Sequence, residues 1–442
     1  GVSSAASDVY KRQDPAQARE PVMRVDVLDV YQADRRVGRL FDERPLRFVY
    51  DDAWLQWPDA HAISPEVTLR VGDHTDAAVH AFFENLLPEG PIRRFLQVSR
   101  HATTVFGLLG SVGGDTASGL TILPQGERPA PARYRAATWR DIATRLQDTA
   151  VPALVAENAD GARISLAGAQ DKLLVTVMPD GSPAIPEGAA PSSHILKPDI
   201  RGFDSVWASA LNETLVMQLA ARLGLGVAEA ALQPDTRACL IRRYDRAPDG
   251  EGGLLRLHQL DLCQLAGKPS DVKYEADGGP SLAQCRDLLV RMAVGPFDLK
   301  RFLQWVLFNL CVGNNDSHAK NLSVLLMPDG RYHLAPFYDL MCTAMYPGLA
   351  RNFAFAVGGE TKPGNIGPEQ VLAMARDLGF GPRYVMGVAQ ALIDALLAAL
   401  EPVQAALRGQ AMAGTETTLI DRLGLWIRTN TRKHAKRWGL SA

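Results

Sequence analysis

The stretch FLQWVLFNLCV, residues 302–312, runs directly into GNNDSHAKN, residues 313–321. This junction constrains the fold more than any other feature of the chain. An apolar run of that kind is a helix that buries itself in a core. The nine residues after it carry three Asn, an Asp, a His and a Lys, and polar groups are costly to bury without partners. Such a helix either throws out a solvated connection or delivers its polar loop to a cleft.

Upstream, the hydrophobic period changes. MRVDVLDV, RVGRLF, PLRFVYD and EVTLRVG alternate apolar and polar residues, as half-buried strands do. AAVHAFFENLLPEGPIRRFLQVSR takes helical spacing, broken at Pro88-Glu89-Gly90-Pro91. VFGLLGSVGGDTASGLTIL lacks a Lys at Walker spacing, so it reads as a short helix ending in a glycine turn. The Pro- and Arg-rich PQGERPAPARYR, residues 124–135, marks a boundary. Beyond it ARISLAGAQDKLLVTVMPDG is expected to run strand, small-residue turn, strand. SHILKPDI and RACLIRRYDR are further short strands, and SVWASALNETLVMQLAARLGL is a helix closed by glycine. After Leu257 the spacing is predominantly helical. The expected fold is α+β: a strand-rich N-terminal subdomain (21–135), a mixed β/α lobe (136–256) and a larger all-helical lobe (257–442). Residues 1–20, which include GVSSAASDVYKRQ, have no apolar leader region and read as a translated adapter artefact, non-native or disordered.

With 442 residues the chain is long enough for two or three domains. A net charge of -2 gives no support to a polyanion-binding protein. The five cysteines form no CxxC pair, so neither a zinc site nor a disulfide framework is indicated, and free thiols fit a reducing, cytoplasmic compartment. No stretch reaches the roughly 18 uninterrupted apolar residues of a membrane span. The richest candidate, GVAQALIDALLAALEPVQAAL, is broken by Asp394 and Glu401 and reads as an amphipathic core helix.

Lys197 lies on a short apolar strand, Glu213 on the helix after it, and Asp316 and Asn321 stand five apart in the polar loop. D-x-x-x-x-N is the offset of a protein-kinase catalytic loop, in which the Asp accepts the proton of a substrate hydroxyl and the Asn oxygen holds magnesium. Asp339, eighteen residues after Asn321 within APFYDLM, is placed in the order to serve as a second metal ligand. SLAGAQDK, residues 165–172, has small residues at Ala167, Gly168 and Ala169 that let backbone N–H groups approach phosphate oxygens. Each element alone is weak, and their order carries the reading: small-residue loop, strand Lys, helix Glu, catalytic-type loop, late Asp.

Together SLAGAQDK, HILKP, NET, RRYDR, VKYEADGGPS, GNNDSHAKN and APFYDL resemble the HipA family of bacterial serine/threonine-protein kinases, toxins of HipA–HipB toxin–antitoxin pairs. The resemblance runs from about Val25 to the end, with NLLPEGPIRR in the family's N-terminal domain. It implies a protein-kinase-like bilobal fold, ATP and Mg2+ as cofactors, and Asp316 as general base. Asn321 and Asp339 would hold the metal. Lys197, the loop Ala167, Gly168, Ala169, Gln170, Asp171 and Lys172, and also His318 and Lys320, would lie toward the nucleotide. Backbone groups of Arg242, Arg243 and Tyr244 would meet the adenine. Ser165 matches the family's autophosphorylation position, where a phosphate expels the loop and silences the kinase. The hinge, commonly Glu-Arg-Phe, is Arg242-Arg243-Tyr244 here, and Leu260 stands where a Glu is often found.

The resemblance further implies a small helix-turn-helix antitoxin as partner, DNA contact mainly through it, no membrane, and a protein substrate such as an aminoacyl-tRNA synthetase. A competing reading is a non-catalytic nucleotide-binding co-repressor, which the basic tail RTNTRKHAKRW (428–438) would favour. A metal-dependent hydrolase using Asp316, His318 and Asp339 lacks the paired-His spacing such sites show.

Overall fold

The computed structural model describes residues 26–147, 152–154, 163–250 and 252–442. The 1–20 segment therefore lies outside the described residues. Val27–Gln32, Arg35–Phe41 and Arg47–Tyr50 form the expected strands; the third alternates in burial, whereas Leu28 to Tyr31 of the first are buried on both faces. They join Asp73–His74 and Leu120–Pro124 in a five-stranded antiparallel sheet, with Val27–Gln32 next to Leu120–Pro124. EVTLRVG is corrected: it is a loop rather than a strand. Only Val67 of its apolar residues is buried, while Leu69 and Val71 face solvent. Helices Ala77–Glu84, Gly90–Ser99 and Val105–Val112 follow, the first capped by Asp76 and the last by Thr104.

A second, six-stranded sheet has the order Ala230–Leu232, Cys239–Arg242, His194–Lys197, Leu173–Val177, Pro183–Glu187, Arg133–Ala136, all antiparallel. Arg133–Ala136 already pairs with Pro183–Glu187. The boundary expected after residue 135 is therefore better proposed ahead of Arg133. Helix Ser209–Arg222 packs on this sheet and is buried almost all round.

The last part is mainly helical, as expected. The all-helical description of it is corrected, because Gln259–Asp261, Ser323–Leu326 and Tyr332–Leu334 form a three-stranded sheet. Strands of three or four residues are too short to show alternation in sequence. Helix Pro296–Val312 is the buried axis of this lobe. Helix Pro382–Arg408 is long and apolar enough by composition to cross a membrane. Here Val385, Ala389, Ile393, Leu396, Leu400 and Leu407 form a buried stripe, and the helix packs against Ser209–Arg222 and Gly414–Trp438. All five cysteines are buried free thiols.

Candidate active site

Helix Pro296–Val312 starts with Pro in its first turn and ends at Gly313, whose φ of +71° turns the chain left-handed. The loop after it is held on both sides. Asn314 donates from Nδ2 to Asn309 Oδ1 (2.9 Å) and to the Asp339 carbonyl (3.4 Å). The Asn315 backbone N–H donates to Thr343 Oγ1 (2.8 Å), and its side chain donates to the Ala350 carbonyl (3.0 Å). These two asparagines, to which the sequence assigned no role, clamp the loop to the segment that carries Asp339. Asn321 donates from Nδ2 to the Asp316 carbonyl (3.1 Å), which fixes its amide and leaves Oδ1 as its acceptor.

Lys197, Glu213 and Asp339 come together as the sequence order suggested. The Lys197 ammonium donates to Glu213 Oε1 and Asp339 Oδ1, both at 2.7 Å. Burial works against this ammonium, and the two carboxylates outweigh burial and keep it protonated. Burial also opposes ionisation of Asp339, yet Lys197 holds its carboxyl down to about 2. Burial raises Glu213. Asp339 has a φ of +59°, a strained conformation for a non-glycine residue, which places its carboxylate opposite the strand lysine. Burial raises Asp316, partly offset by a hydrogen bond from Tyr274 Oη at 2.5 Å.

The small-residue loop is packed against the N-terminal module. Ser165 is fully buried and donates from Oγ to the Leu86 carbonyl (2.6 Å). The Glu89 N–H donates to the Gly168 carbonyl (3.0 Å), and Gly168 has a φ of +108°. Lys172 Nζ donates to the Ala167 carbonyl (2.6 Å); burial first, then the Lys197 ammonium, push its pKa down to about 8. Asp171 accepts from the N–H groups of Ala153, Leu154 and Lys172, and Gln170 donates to the Pro198 carbonyl, so both shape the loop.

At the hinge, the N–H of Arg242 donates to the Glu229 carbonyl and that of Arg243 to the Ser193 carbonyl, both at 2.9 Å. Any contact from this strand to a base therefore falls to other atoms. Arg242, where the family commonly has Glu, changes little in the interior. Arg242 faces solvent near Glu229, and Arg243 is buried between Asp115 (3.3 Å) and Asp245 (2.8 Å). Tyr244 stacks on Tyr338 with ring centres 5.8 Å apart. His318 is buried edge-on to Tyr274, and burial, then Lys273, hold its imidazole down to about 3, hence neutral near pH 7. Lys320 points its ammonium at Asp261 (2.7 Å) and Asn85 (2.5 Å), joining the polar loop to the N-terminal module.

Sequence reasoning missed Asp115, Asp261 and Tyr274 as site-shaping residues. Asp261 stands next to the noted Leu260, and Tyr274 lies inside the quoted motif VKYEADGGPS, so a signal existed for both. Asp115 sat unremarked in a glycine-rich run. Among the described residues no group of three or more His, Cys, Asp and Glu is arranged to hold a metal ion. Asn321 Oδ1, left as an acceptor by the contact of Nδ2 with the Asp316 carbonyl, and the Asp339 carboxylate are hard-oxygen donors. Such a pair fits Mg2+, which keeps waters and takes phosphate oxygens as its remaining ligands.

A strand lysine paired with a helix glutamate and a late aspartate, beside a D-x-x-x-x-N loop, defines a phosphotransferase of protein-kinase type. The comparisons agree. The chain matches the HipA N-terminal domain over residues 28–123 and the HipA-like C-terminal domain over residues 164–400. It is 33% identical over 393 residues to Y4mE, a protein named as a kinase in Sinorhizobium fredii, covering 86% of this chain and 92% of that one. It is 31% identical over 383 residues to the serine/threonine-protein kinase toxin HipA of Shewanella oneidensis, covering 81% of this chain and 84% of the relative. A chain in the solved Shewanella oneidensis complex of HipA, HipB and operator DNA superposes with a TM-score of 0.79 at 25% identity. That match covers 92% of this chain and 97% of the other. The chain belongs to the HipA family and is a kinase.

Proposed function

We propose that the chain transfers the γ-phosphoryl group of ATP to a serine or threonine hydroxyl of a protein, and that it acts as the toxin of a toxin–antitoxin pair. The observation that carries this reading is the Lys197 ammonium, 2.7 Å from both Glu213 and Asp339, beside the loop of Asp316. Asp316 takes the substrate hydroxyl proton, and its desolvation favours that role. Lys197 and Lys172 meet the phosphates, with the amides of Ala167–Lys172 around them. Asn321 and Asp339 hold Mg2+, which when bound offsets charge on the β- and γ-phosphate oxygens. The Arg242–Tyr244 hinge flanks the base. His318 lies on the same side, whereas the ammonium of Lys320 serves the loop's anchorage.

Ser165 is the proposed autophosphorylation site. Its hydroxyl is buried against the Leu86 carbonyl. A phosphate adds about -1.5 to -2 charges and has no room beside an acceptor oxygen, so the modified loop must leave its seat. A helix-turn-helix antitoxin is the proposed partner, supported by the HipB and operator DNA in the matching complex. DNA contact runs mainly through it, the setting is cytoplasmic, and an aminoacyl-tRNA synthetase is the substrate class the resemblance points to.

The test is incubation of the protein with radiolabelled ATP and magnesium beside Asp316→Ala. Label on Ser165 in the wild type alone is expected. Absence of label and of ATP turnover in both would overturn the reading in favour of the nucleotide-binding co-repressor.

A further inference from the structure

We propose that Tyr274 is a gate on the catalytic base: its hydroxyl occupies the nucleophile's place on Asp316 until a substrate serine or threonine displaces it. This rests on the kinase reading above. A nucleophile hydroxyl must donate to the base at about 2.6–3.2 Å. Tyr274 Oη already donates to Asp316 Oδ1 at 2.5 Å, so a hydroxyl approaching that oxygen meets an occupied acceptor. The phenol is itself a poor nucleophile here, since burial, then Asp316, keep its proton in place well above the ordinary tyrosine range.

The tyrosine sits on a short strap between two turns. Two single-turn 3-10 helices, Ser270–Val272 and Glu275–Asp277, flank Lys273 and Tyr274, and the strap closes at Gly278 and Gly279. Gly278 has a φ of +96°, and a Cβ on Gly279 would meet the Val272 carbonyl at 2.5 Å. The strap is tethered on either side of the tyrosine. Lys273 donates to Glu89 Oε2 (2.7 Å), and Glu275 accepts from the Ala356 N–H (2.7 Å). Glu89 in turn holds the phosphate loop through the Gly168 carbonyl. Lys273, Asp271, Glu89, Glu84 and Arg93 also line a cleft of about 520 Å³, so a protein chain docking there meets the strap first.

The gate has a chemical purpose. Without it, water can donate to Asp316. The water oxygen then bonds to the γ-phosphorus while the bond to the ADP oxygen breaks, its electron pair leaves on ADP, and the water proton passes to Asp316. The result is idle hydrolysis of ATP to ADP and phosphate.

The experiment measures free phosphate release from ATP and magnesium without any protein substrate, for wild type, Tyr274→Phe, Tyr274→Phe with Asp316→Ala, and Lys273→Ala. Tyr274→Phe keeps the ring and is expected to raise release about tenfold, the worth of one hydrogen bond to a charged group, with ATP affinity unchanged. The double variant should lose the gain. Lys273→Ala removes the strap's tether to Glu89, together with the ammonium over the Tyr274 ring, but keeps the tyrosine hydroxyl, and should also raise release. A tyrosine that merely positions the base, or supports the fold, would give equal or lower release in both variants and overturn the gate. Label appearing on Tyr274 itself would also overturn it. If the wild type yields neither phosphate nor labelled protein and the single variants are equally silent, the kinase reading falls first.

Discussion

Lys172 lies under two opposing demands: its ammonium is buried near Lys197, yet in the proposed function its loop needs a cation for ATP. Burial and Lys197 depress its pKa from 10.5 to about 8. A depressed lysine pKa means that the unfolded chain binds more protons between pH 8 and 10.5, so this group's penalty on stability is relieved as pH rises through that window. Nucleotide affinity has the opposite sign, because polyphosphate prefers the protonated amine. ATP should bind more weakly from pH 7 to pH 9, approaching tenfold per unit above the pKa. Lys172→Arg, always charged, should flatten the profile; calorimetric titration across that range checks both, and a flat wild-type profile would refute the assignment. At this scale the meeting of Lys197, Glu213 and Asp339 was legible in the sequence, because strand lysine, helix glutamate and late aspartate come in a meaningful order. Asp115 was not. It is fully buried and accepts from Arg246, Arg256 and Arg243, partners more than a hundred positions away, which local pattern cannot pair.

The buried helix and its polar loop form one element, hinged at Gly313. A side chain there would take on a φ of +71°, and its Cβ would strike the Trp426 ring and lie 3.1 Å from Ala344 Cβ. The left-handed backbone costs about 1–2 kcal/mol, and forcing a methyl into packed space adds about 1–3 kcal/mol. Gly313→Ala should therefore lower the urea midpoint and, by shifting the turn before Asp316, reduce phosphotransfer as well. An unchanged midpoint would show that the turn is slack. Elements of this length were readable because periodicity accumulates over four or five turns. The three-stranded sheet of the last lobe was not, and EVTLRVG misled because Leu69 and Val71 of its alternating residues face solvent in a loop.

At the scale of the molecule, one hydrophobic cluster runs without interruption from Leu28 in the first sheet to Trp438 in the last helix. Charged contacts bridge the same boundary: Lys320 to Asn85, Lys273 to Glu89, and Ser270 to Glu84. The heaviest of them is the buried cluster in which Asp115 takes Arg246 at 2.7 Å, Arg256 at 3.0 Å and Arg243 at 3.3 Å. The three guanidiniums hold the Asp115 carboxylate far below the usual range despite complete burial. Multidomain chains commonly unfold in steps, but a shared core with charged rivets predicts a single calorimetric transition for this one. Asp115→Asn removes the charge that two buried guanidiniums and the half-buried Arg256 converge on, and breaking a buried pair costs about 3–5 kcal/mol. Set against a typical stability of about 5–15 kcal/mol, that loss falls almost wholly on the joint between the first sheet and the hinge. The variant should therefore melt in two steps, the N-terminal module first. Two steps in the wild type, or one unshifted step in Asp115→Asn, would mean that the apolar core alone joins the module to the kinase lobes.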